Sequence, residues 1–417
     1  MQRRVFVTGI GMVTCLGTGL ESNWQAVVGG RSGIGPITLF DASEFQTRIA
    51  GEVRGKFDPA GYVPEKEARR MDRCQQLMLV AAGEAIHHAG LTCPPEDPFR
   101  AGVVVGSGMG GLITVYETVA AFRAKGPKGV HPLAIPKVVV NLIPGILAIK
   151  YGFKGHNFGV VNACTSGSSA IGEAYRLIKE GRADVMLTGG TEATVTEVGV
   201  AAFNALRALS TRNDEPEKAC RPFDLNRDGF VMSEGAAAFV LESEEHAMRR
   251  GATIHAELLG YGATDDAYHF VMPDPEGEGA YWAMRYAIED AGLKPEQIQY
   301  INAHGTATEL NDPIETAAIK RVFGSHARKI AISSTKSMTG HMIGAAGAVE
   351  AAFTVMTLKT GIVPPTINLE TPDPACDLDY TPNTAAKRDV EWAISNSFGF
   401  GGQNATLVFA RVESSRW

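Results

Sequence analysis

Along this 417-residue chain, short unbroken apolar runs alternate with glycine-rich turns and helical stretches. Val5-Phe6-Val7-Thr8-Gly9, Gly102-Val103-Val104-Val105-Gly106 and Val185-Met186-Leu187-Thr188-Gly189-Gly190 are three such runs. Strands that are apolar throughout, rather than at every second position, belong to sheets covered on both faces. Between them lie helical patterns such as Gln76 to His88. The order predicts an α/β protein with helices packed on its sheets.

The turns also recur. A strand into Gly9 and Gly11, a strand into Gly106 to Gly108, the stretch Val160 to Gly167 and the Gly189-Gly190 turn mark the first half. Leu258 to Gly262, a strand into Ala303-His304-Gly305, Ile332 to Gly347 and Gly399 to Gly402 follow in the same order, after a break near Arg250 to Thr253. Four matches in order predict two copies of one α/β unit, spanning 1–255 and 256–417. A site between such copies draws one set of groups from each. Asp214 to Asp228 and the passage from Pro364-Pro365 to Pro374 are predicted to be irregular.

Composition then removes some function classes. A hydrophobic share of 45% with 20% charged residues suits a globular protein, and a net charge of -7 argues against nucleic-acid binding by bulk charge. The run from Val5 to Leu16 is short and broken by Gly9 and Gly11, so it reads as a strand and turn, not a targeting or membrane segment. Six cysteines without a C-x-x-C pair exclude an obvious zinc site. They fit a cytoplasmic protein whose thiols are mostly free and buried.

Four segments carry candidate chemistry. In Asn162-Ala163-Cys164-Thr165-Ser166-Gly167-Ser168-Ser169-Ala170, an apolar strand enters a tight turn and a helix, Ala170 to Lys179, leaves it. Cys164 at a helix N-terminus meets a partial positive charge and free backbone N–H groups, which favour thiolate. A small cysteine that merely fills space is the alternative. In Asn302-Ala303-His304-Gly305-Thr306-Ala307-Thr308, His304 stands at a strand end where it reaches a ligand, or is satisfied locally. Ser333 to His341 places Lys336 and His341 on a turn before a small-residue helix, with Glu350 in reach of Lys336. Asn396-Ser397-Phe398-Gly399-Phe400-Gly401-Gly402 is a mobile backbone able to present an N–H and swing an aromatic ring. The N–H groups of Cys164 and Phe400 together suit an oxyanion hole.

Three similar patterns fail. Gly106-Ser107-Gly108-Met109-Gly110-Gly111 fits the dinucleotide fingerprint, yet no Asp or Glu lies between Glu117 and Glu173 to hold a ribose. Ser333-Ser334-Thr335-Lys336 with Lys359-Thr360-Gly361 imitates the boxes of serine β-lactam enzymes, but the S-D-N element is missing. A G-x-S-x-G elbow occurs nowhere in the chain.

With these motifs in place, the chain resembles the β-ketoacyl-[acyl-carrier-protein] synthases, above all the elongating condensing enzymes of bacterial fatty acid synthesis. Ala163-Cys164-Thr165-Ser166-Gly167, Asn302-Ala303-His304-Gly305-Thr306, Lys336-Ser337-Met338-Thr339-Gly340-His341 and Asn396-Ser397-Phe398-Gly399-Phe400 carry the likeness, which runs nearly end to end. It implies a thiolase-like fold, α/β and five-layered as αβαβα from two duplicated halves, in a homodimer.

The resemblance also implies the chemistry. Cys164 takes an acyl chain from acyl carrier protein, and malonyl carrier protein then loses its carboxylate and attacks that thioester. His304 and His341 would hydrogen-bond the malonyl thioester oxygen, Lys336 with Glu350 would support them, and Phe400, beside Phe398, would act as a gate. Met109 and Phe203 match positions lining an acyl tunnel, and Thr306 and Thr308 match a pair binding the phosphopantetheine arm. An acidic carrier needs a basic surface, for which Lys66, Arg69 and Arg70 on one helix, Lys128 and Arg207 are the candidates. No cofactor is implied, apart from a monovalent cation that some relatives hold near positions matching Asn302, Glu350 and Asn396. Gln403, where the family usually has Thr, and Ser168-Ser169-Ala170 depart from the pattern. A polyketide-type ketosynthase and a non-catalytic chain-length partner are the two other readings; Cys164 with both histidines argues against the second.

Overall fold

A computed structural model describes residues 3–53 and 59–412. Ten strands run in one hydrogen-bonded order: β1 (Val5–Thr14), β2 (Ala101–Gly106), β3 (Asn157–Val160), β4 (Val185–Glu192), β5 (Gly235–Ser243), β6 (Ala256–Asp265), β7 (Tyr300–Asn302), β8 (Ala331–Ser333), β9 (Trp392–Phe398) and β10 (Gln403–Ala410). The order across the sheet is β8-β7-β9-β10-β6-β1-β5-β4-β2-β3, with Gly17–Thr18 added beside β1. Split between β6 and β1, the two sets share one plan. The first strand pairs antiparallel with the fifth, the fifth antiparallel with the fourth, and the fourth, second and third run parallel. The sets join where Val5, Phe6 and Val7 of β1 pair antiparallel with Leu258, Glu257 and Ala256 of β6.

Five helices complete the layers: α1 (Arg73–Ala89), α2 (Ser166–Lys179), α3 (Glu278–Asp290), α4 (Asn311–Phe323) and α5 (Ala346–Thr360). On the outside, α1 packs on β1 and β5, while α3, with α4 against it, covers β6 and β10. Between the two sets lie α2, on β2 and β4, and α5, on β9, and these helices touch each other. The result is the αβαβα arrangement of a thiolase-like fold. It explains the unbroken apolar strands: β1, β4 and β5 are buried at every position because each has a covering layer on both sides.

Helix ends follow local chemistry. The stretch predicted from Gln76 to His88 is a helix from Arg73 to Ala89, because Asp72 and Gln75 form a capping box and Gly90 closes it in the left-handed region. That cap also corrects one expectation. Lys66, Arg69 and Arg70 do not share a helix of any length: only Glu65–Ala68 is helical, since Asp72 must be extended to cap α1. The predicted helix at Ala170 begins four residues earlier, at Ser166.

Asp214 to Asp228 is largely irregular, as predicted, but it is not a loose surface loop. Asp224 is buried and accepts from Arg221 Nε (2.9 Å) and the backbone N–H groups of Asn226, Glu370 and Thr371. Buried Arg227 donates to Asp373 and to the carbonyls of Thr308 and Glu309. Buried charge persists only when paired in this way. Of the six free cysteines, Cys74, Cys220 and Cys376 are buried, and Cys15, Cys93 and Cys164 are half-buried.

Candidate active site

Cys164 sits in a tight turn, Ala163–Thr165, that runs straight into α2. Ala163 holds a left-handed φ of 45°, a conformation costing on the order of 1–3 kcal/mol for a residue with a Cβ. Hydrogen bonds over-determine the turn: Asn162 N–H donates to Ser166 Oγ (2.9 Å), whose hydroxyl donates to Ala163 O (2.7 Å), and Thr165 Oγ1 donates to Asn162 O (2.8 Å).

The second half of the chain brings the histidines to it. His341 Nε2 lies 3.0 Å from Cys164 Sγ. Its backbone is pinned on both sides, with its N–H on Val231 O (2.7 Å) and its carbonyl accepting from Ser233 N–H (3.0 Å). The His304 ring stands edge-on to His341 with centroids 5.4 Å apart. His304 leaves β7 and is held there by Glu315, which accepts from its N–H (2.9 Å) and from Gly305 N–H (2.8 Å). Lys336, wholly buried, is ion-paired with Glu350 and donates to His304 O at 2.6 Å. Its ammonium lies 3.5 Å from His304 Nδ1. Because an ammonium only donates, this contact favours the tautomer with hydrogen on Nε2.

Burial pushes both histidines well below the ordinary imidazole range, and the charge of Lys336 adds to the effect. They are neutral near pH 7, as suits N–H donors to a developing oxyanion. Glu350 goes the other way, to about 7, because burial outweighs Lys336.

Cys164 corrects the expectation of a resting thiolate. Burial pushes its thiol up to about 12, against the Lys336 charge and a hydrogen bond from Phe400 N–H. The helix terminus therefore faces a resting thiol in contact with His341. No histidine adjoins Cys164 in sequence, yet one does in space. His341 Nδ1 has no partner among the described residues, so no second bond locks the tautomer that meets the sulfur.

Aromatic rings wall the site. Phe400, Phe203, Phe230 and His341 follow one another with centroid spacings of 6.3, 5.5 and 5.2 Å, and Phe398 stands 5.5 Å from His304. Phe203, Phe398 and Phe400 are half-buried. Beyond Phe400, Gly401 and Gly402 take φ of 90° and 86°, and Gly401 N–H donates to Phe270 O (3.0 Å). Gln403 accepts on its carbonyl from Gly399 N–H (2.8 Å). Thr306 and Thr308 bond through their hydroxyls at 3.0 Å across Ala307, whose φ is 65°.

Other candidates lie at the surface. Lys66, Arg69, Arg70, Lys128 and Arg207 are exposed, and Arg69 pairs with Glu65. Met109 is 40% exposed, on the Gly106 to Gly111 turn. For a cation, the fit differs from the expectation at one residue. Asn302 Oδ1 and Glu350 Oε2 are buried without a hydrogen-bond partner, and so is Ser395 Oγ, whose residue pairs with Asn302 in register. Asn396 is already engaged, with Nδ2 near Glu315 and Oδ1 accepting from Thr406.

Two of the buried carboxylates that the sequence does not single out anchor turns of the site. Glu315 holds the His304 loop, and Glu192 holds the turns around Gly108 and Gly344. For Glu192 the signal is an acid at the end of the otherwise uncharged β4; Glu315, on a helix with Asp312, Lys320 and Arg321, carries none.

Family models agree with this geometry. Residues 2–247 match the model described as "Beta-ketoacyl synthase, N-terminal domain" and residues 255–370 the one described as "Beta-ketoacyl synthase, C-terminal domain". The chain is 50% identical over 411 residues to a Coxiella burnetii protein named 3-oxoacyl-[acyl-carrier-protein] synthase 2, covering 99% of both chains. A Synechocystis protein of the same name is 49% identical over 412 residues, again covering 99% of each. Among solved structures, a β-ketoacyl synthase from Burkholderia phymatum superposes with a TM-score of 0.91 at 39% identity, covering 99% of this chain and 100% of that one. A type II polyketide ketosynthase in complex with its acyl carrier protein and bound to a hexaketide gives 0.92 at 34% identity, with the same coverage. The chain belongs to the β-ketoacyl synthase family.

Proposed function

We propose that the protein is a 3-oxoacyl-[acyl-carrier-protein] synthase of the elongating type, which condenses malonyl carrier protein with an acyl chain held on Cys164. The observation that carries this reading is the meeting of the two halves: Cys164 from one, His341 at 3.0 Å and His304 beside it from the other.

In the first half-reaction, Cys164 Sγ attacks the acyl thioester, the carrier thiol leaves, and the thiol hydrogen passes to His341 Nε2 or out to that leaving thiolate. The N–H groups of Cys164 and Phe400 face the developing oxyanion. In the second, malonyl thioester enters and its carboxylate leaves as CO2, so no strong base is needed to make the carbanion. The enolate oxygen takes N–H bonds from neutral His304 and His341. Its carbon attacks the acyl carbonyl, and the Cys164 thiolate departs. Lys336 and Glu350 hold the His304 loop, and Phe400 gates access between the two steps.

Several finer points belong to the same proposal. Thr306 and Thr308 bind the phosphopantetheine arm, Met109 and Phe203 line the acyl tunnel, and Lys66, Arg69, Arg70, Lys128 and Arg207 meet the acidic carrier. The protein acts as a cytoplasmic homodimer. Among the described residues β3 ends the sheet with an unpaired edge near exposed Val161, as a second copy would need. The boundary between the functional halves falls at residues 255 and 256. If a monovalent cation binds, Asn302, Glu350 and Ser395 hold it with oxygen donors of the right kind, and it supplies charge compensation rather than chemistry.

Polyketide ketosynthases share the mechanism. The higher identity to fatty acid synthases, 50% against 34%, favours fatty acid elongation. The test is direct: Cys164→Ser abolishes the acyl adduct seen by mass spectrometry on wild type. An adduct that survives on another residue refutes the assignment.

A further inference from the structure

The Gly106 to Gly111 turn has the sequence form of a dinucleotide-binding loop and, apart from Met109, no part in the function proposed above. Two of its N–H groups, those of Gly108 and Met109, are aimed at an anion from the chain itself. Glu192, at the end of β4, is wholly buried. Its Oε2 accepts from Gly108 N–H (2.7 Å) and Gly344 N–H (3.0 Å), and its Oε1 from Met109 N–H (3.2 Å) and Ser107 Oγ (3.2 Å). Among the described residues no cation pairs with it. A buried carboxylate held only by dipoles is costly unless those bonds are all made.

The two turns it joins come from different halves. A Cβ on Gly344 would stand 2.3 Å from Gly108 N and 2.7 Å from Glu192 Oε2, so the turns touch and glycine alone fits there. One turn carries Met109; the other follows His341 by three residues.

We propose that Glu192 is a positioning residue for primer selection: its carboxylate locks the Met109 turn onto the Gly344 turn, so that the acyl chain is measured against a fixed wall. The inference rests on the reading that Cys164 is acylated and that Met109 lines the acyl tunnel. Gln at this position keeps the shape but turns an NH2 group toward N–H donors, which breaks at least one of the anchoring bonds and frees the Met109 backbone.

The experiment compares acylation of Cys164 in wild type and Glu192→Gln, on the full-length protein, with a short and a long acyl-carrier thioester. The expected result is a roughly 10-fold fall in the long-to-short ratio of kcat/KM, carried by KM for the long primer. A purely structural role lowers both primers together, and an unchanged ratio overturns the proposal. If Glu192→Gln does not fold, Ser107→Ala removes one donor to Oε1 and leaves the carboxylate in place; a shift of about threefold in the same direction is expected, and no shift overturns the idea. Failure of the underlying reading looks different: wild type is then unlabelled at Cys164, or Met109→Ala leaves the length ratio untouched.

Discussion

Replacing Lys336 with Met separates what the buried ion pair does for stability from what it does for the site. Lys336 and Glu350 are 0% and 1% exposed, so removing the ammonium strands a carboxylate in the core. Such a loss costs about 3–5 kcal/mol, unless the carboxyl takes up a proton. It will do so here, because the two influences holding it down, Lys336 charge and Lys336 hydrogen bond, both vanish while burial remains. A folded pKa raised above the unfolded value gives stability that is full below the unfolded pKa, near 4.3, and is lost as pH rises. Wild-type Glu350, at about 7, already carries that slope below neutral pH, so the deficit of Lys336→Met relative to wild type grows only above about pH 7, by up to ~1.4 kcal/mol per pH unit. The double variant Lys336→Met/Glu350→Gln removes that slope. It leaves only the lost bond to His304 O, worth about 1–3 kcal/mol. Urea unfolding at three pH values reads stability; Cys164 acylation and condensation are assayed in parallel. The double variant regains most of the stability and acylates Cys164, but condenses poorly, because the His304 loop has lost its anchor. A double variant as unstable as Lys336→Met refutes the stranded-carboxylate argument, and one that condenses at the wild-type rate refutes a role for Lys336 in placing His304.

Further expectations follow from the same geometry. His304→Ala leaves acylation of Cys164 largely intact and lowers condensation by about 100-fold or more, whereas His341→Ala also slows alkylation of Cys164 by iodoacetamide, since of the two histidines it is His341 that touches the sulfur; equal alkylation in the two variants contradicts that distinction. Glu242 is buried, which raises its pKa, but bonds from Arg250, His246 and Thr8 hold it at about 2. It contributes about 3 kcal/mol above pH ~4.5 that is lost as pH falls through about 2, so Glu242→Gln lowers stability at neutral pH and flattens acid unfolding followed by circular dichroism. If Asn302, Glu350 and Ser395 hold a monovalent cation, exchanging potassium for a bulky organic cation at fixed ionic strength lowers the melting temperature of wild type by a few degrees and leaves Asn302→Leu unmoved; identical melting of wild type in both salts removes the site.

What was legible in the sequence is what local chemistry alone decides. The strand, tight turn and helix around Cys164, the strand-end position of His304, and the pairing of Lys336 with Glu350 follow from small residues, apolar runs and the cost of burying charge. The contact between His341 and Cys164 was not legible, because it spans the interface of two halves and 177 positions. Nor was the direction of the thiol pKa, which is set by the burial of Cys164 in the folded chain. Glu192 and Glu315 were missed for the same reason. An acid in a sequence reads as solvated until its donors are known, and here those donors are backbone N–H groups of distant turns. The basic stretch at Lys66 shows the converse error, a helix extended past the point where the cap at Asp72 must break it.

The duplication makes the asymmetry of the site intelligible. Ala163–Thr165 before α2 and Ile343–Ala345 before α5 are the same turn, with φ of 45° at Ala163 and 46° at Ile343. Gly344 stands where the first copy has Cys164. A buried amide at a helix start must find an acceptor. At Gly344 that acceptor is Glu192, from within the chain, and the turn is closed to anything else. At Cys164 no carboxylate bonds the amide among the described residues, and Phe400 N–H points at the sulfur, which leaves the two donors proposed for the acyl oxygen. One copy of the unit thus uses its helix-start amide to fasten the halves together, and the other keeps its own free for the reacting carbonyl. On the role proposed above for Glu192, fixing the first holds the second in place, and Glu192, far from the bond-making atoms in sequence, then belongs to any account of how Cys164 is presented.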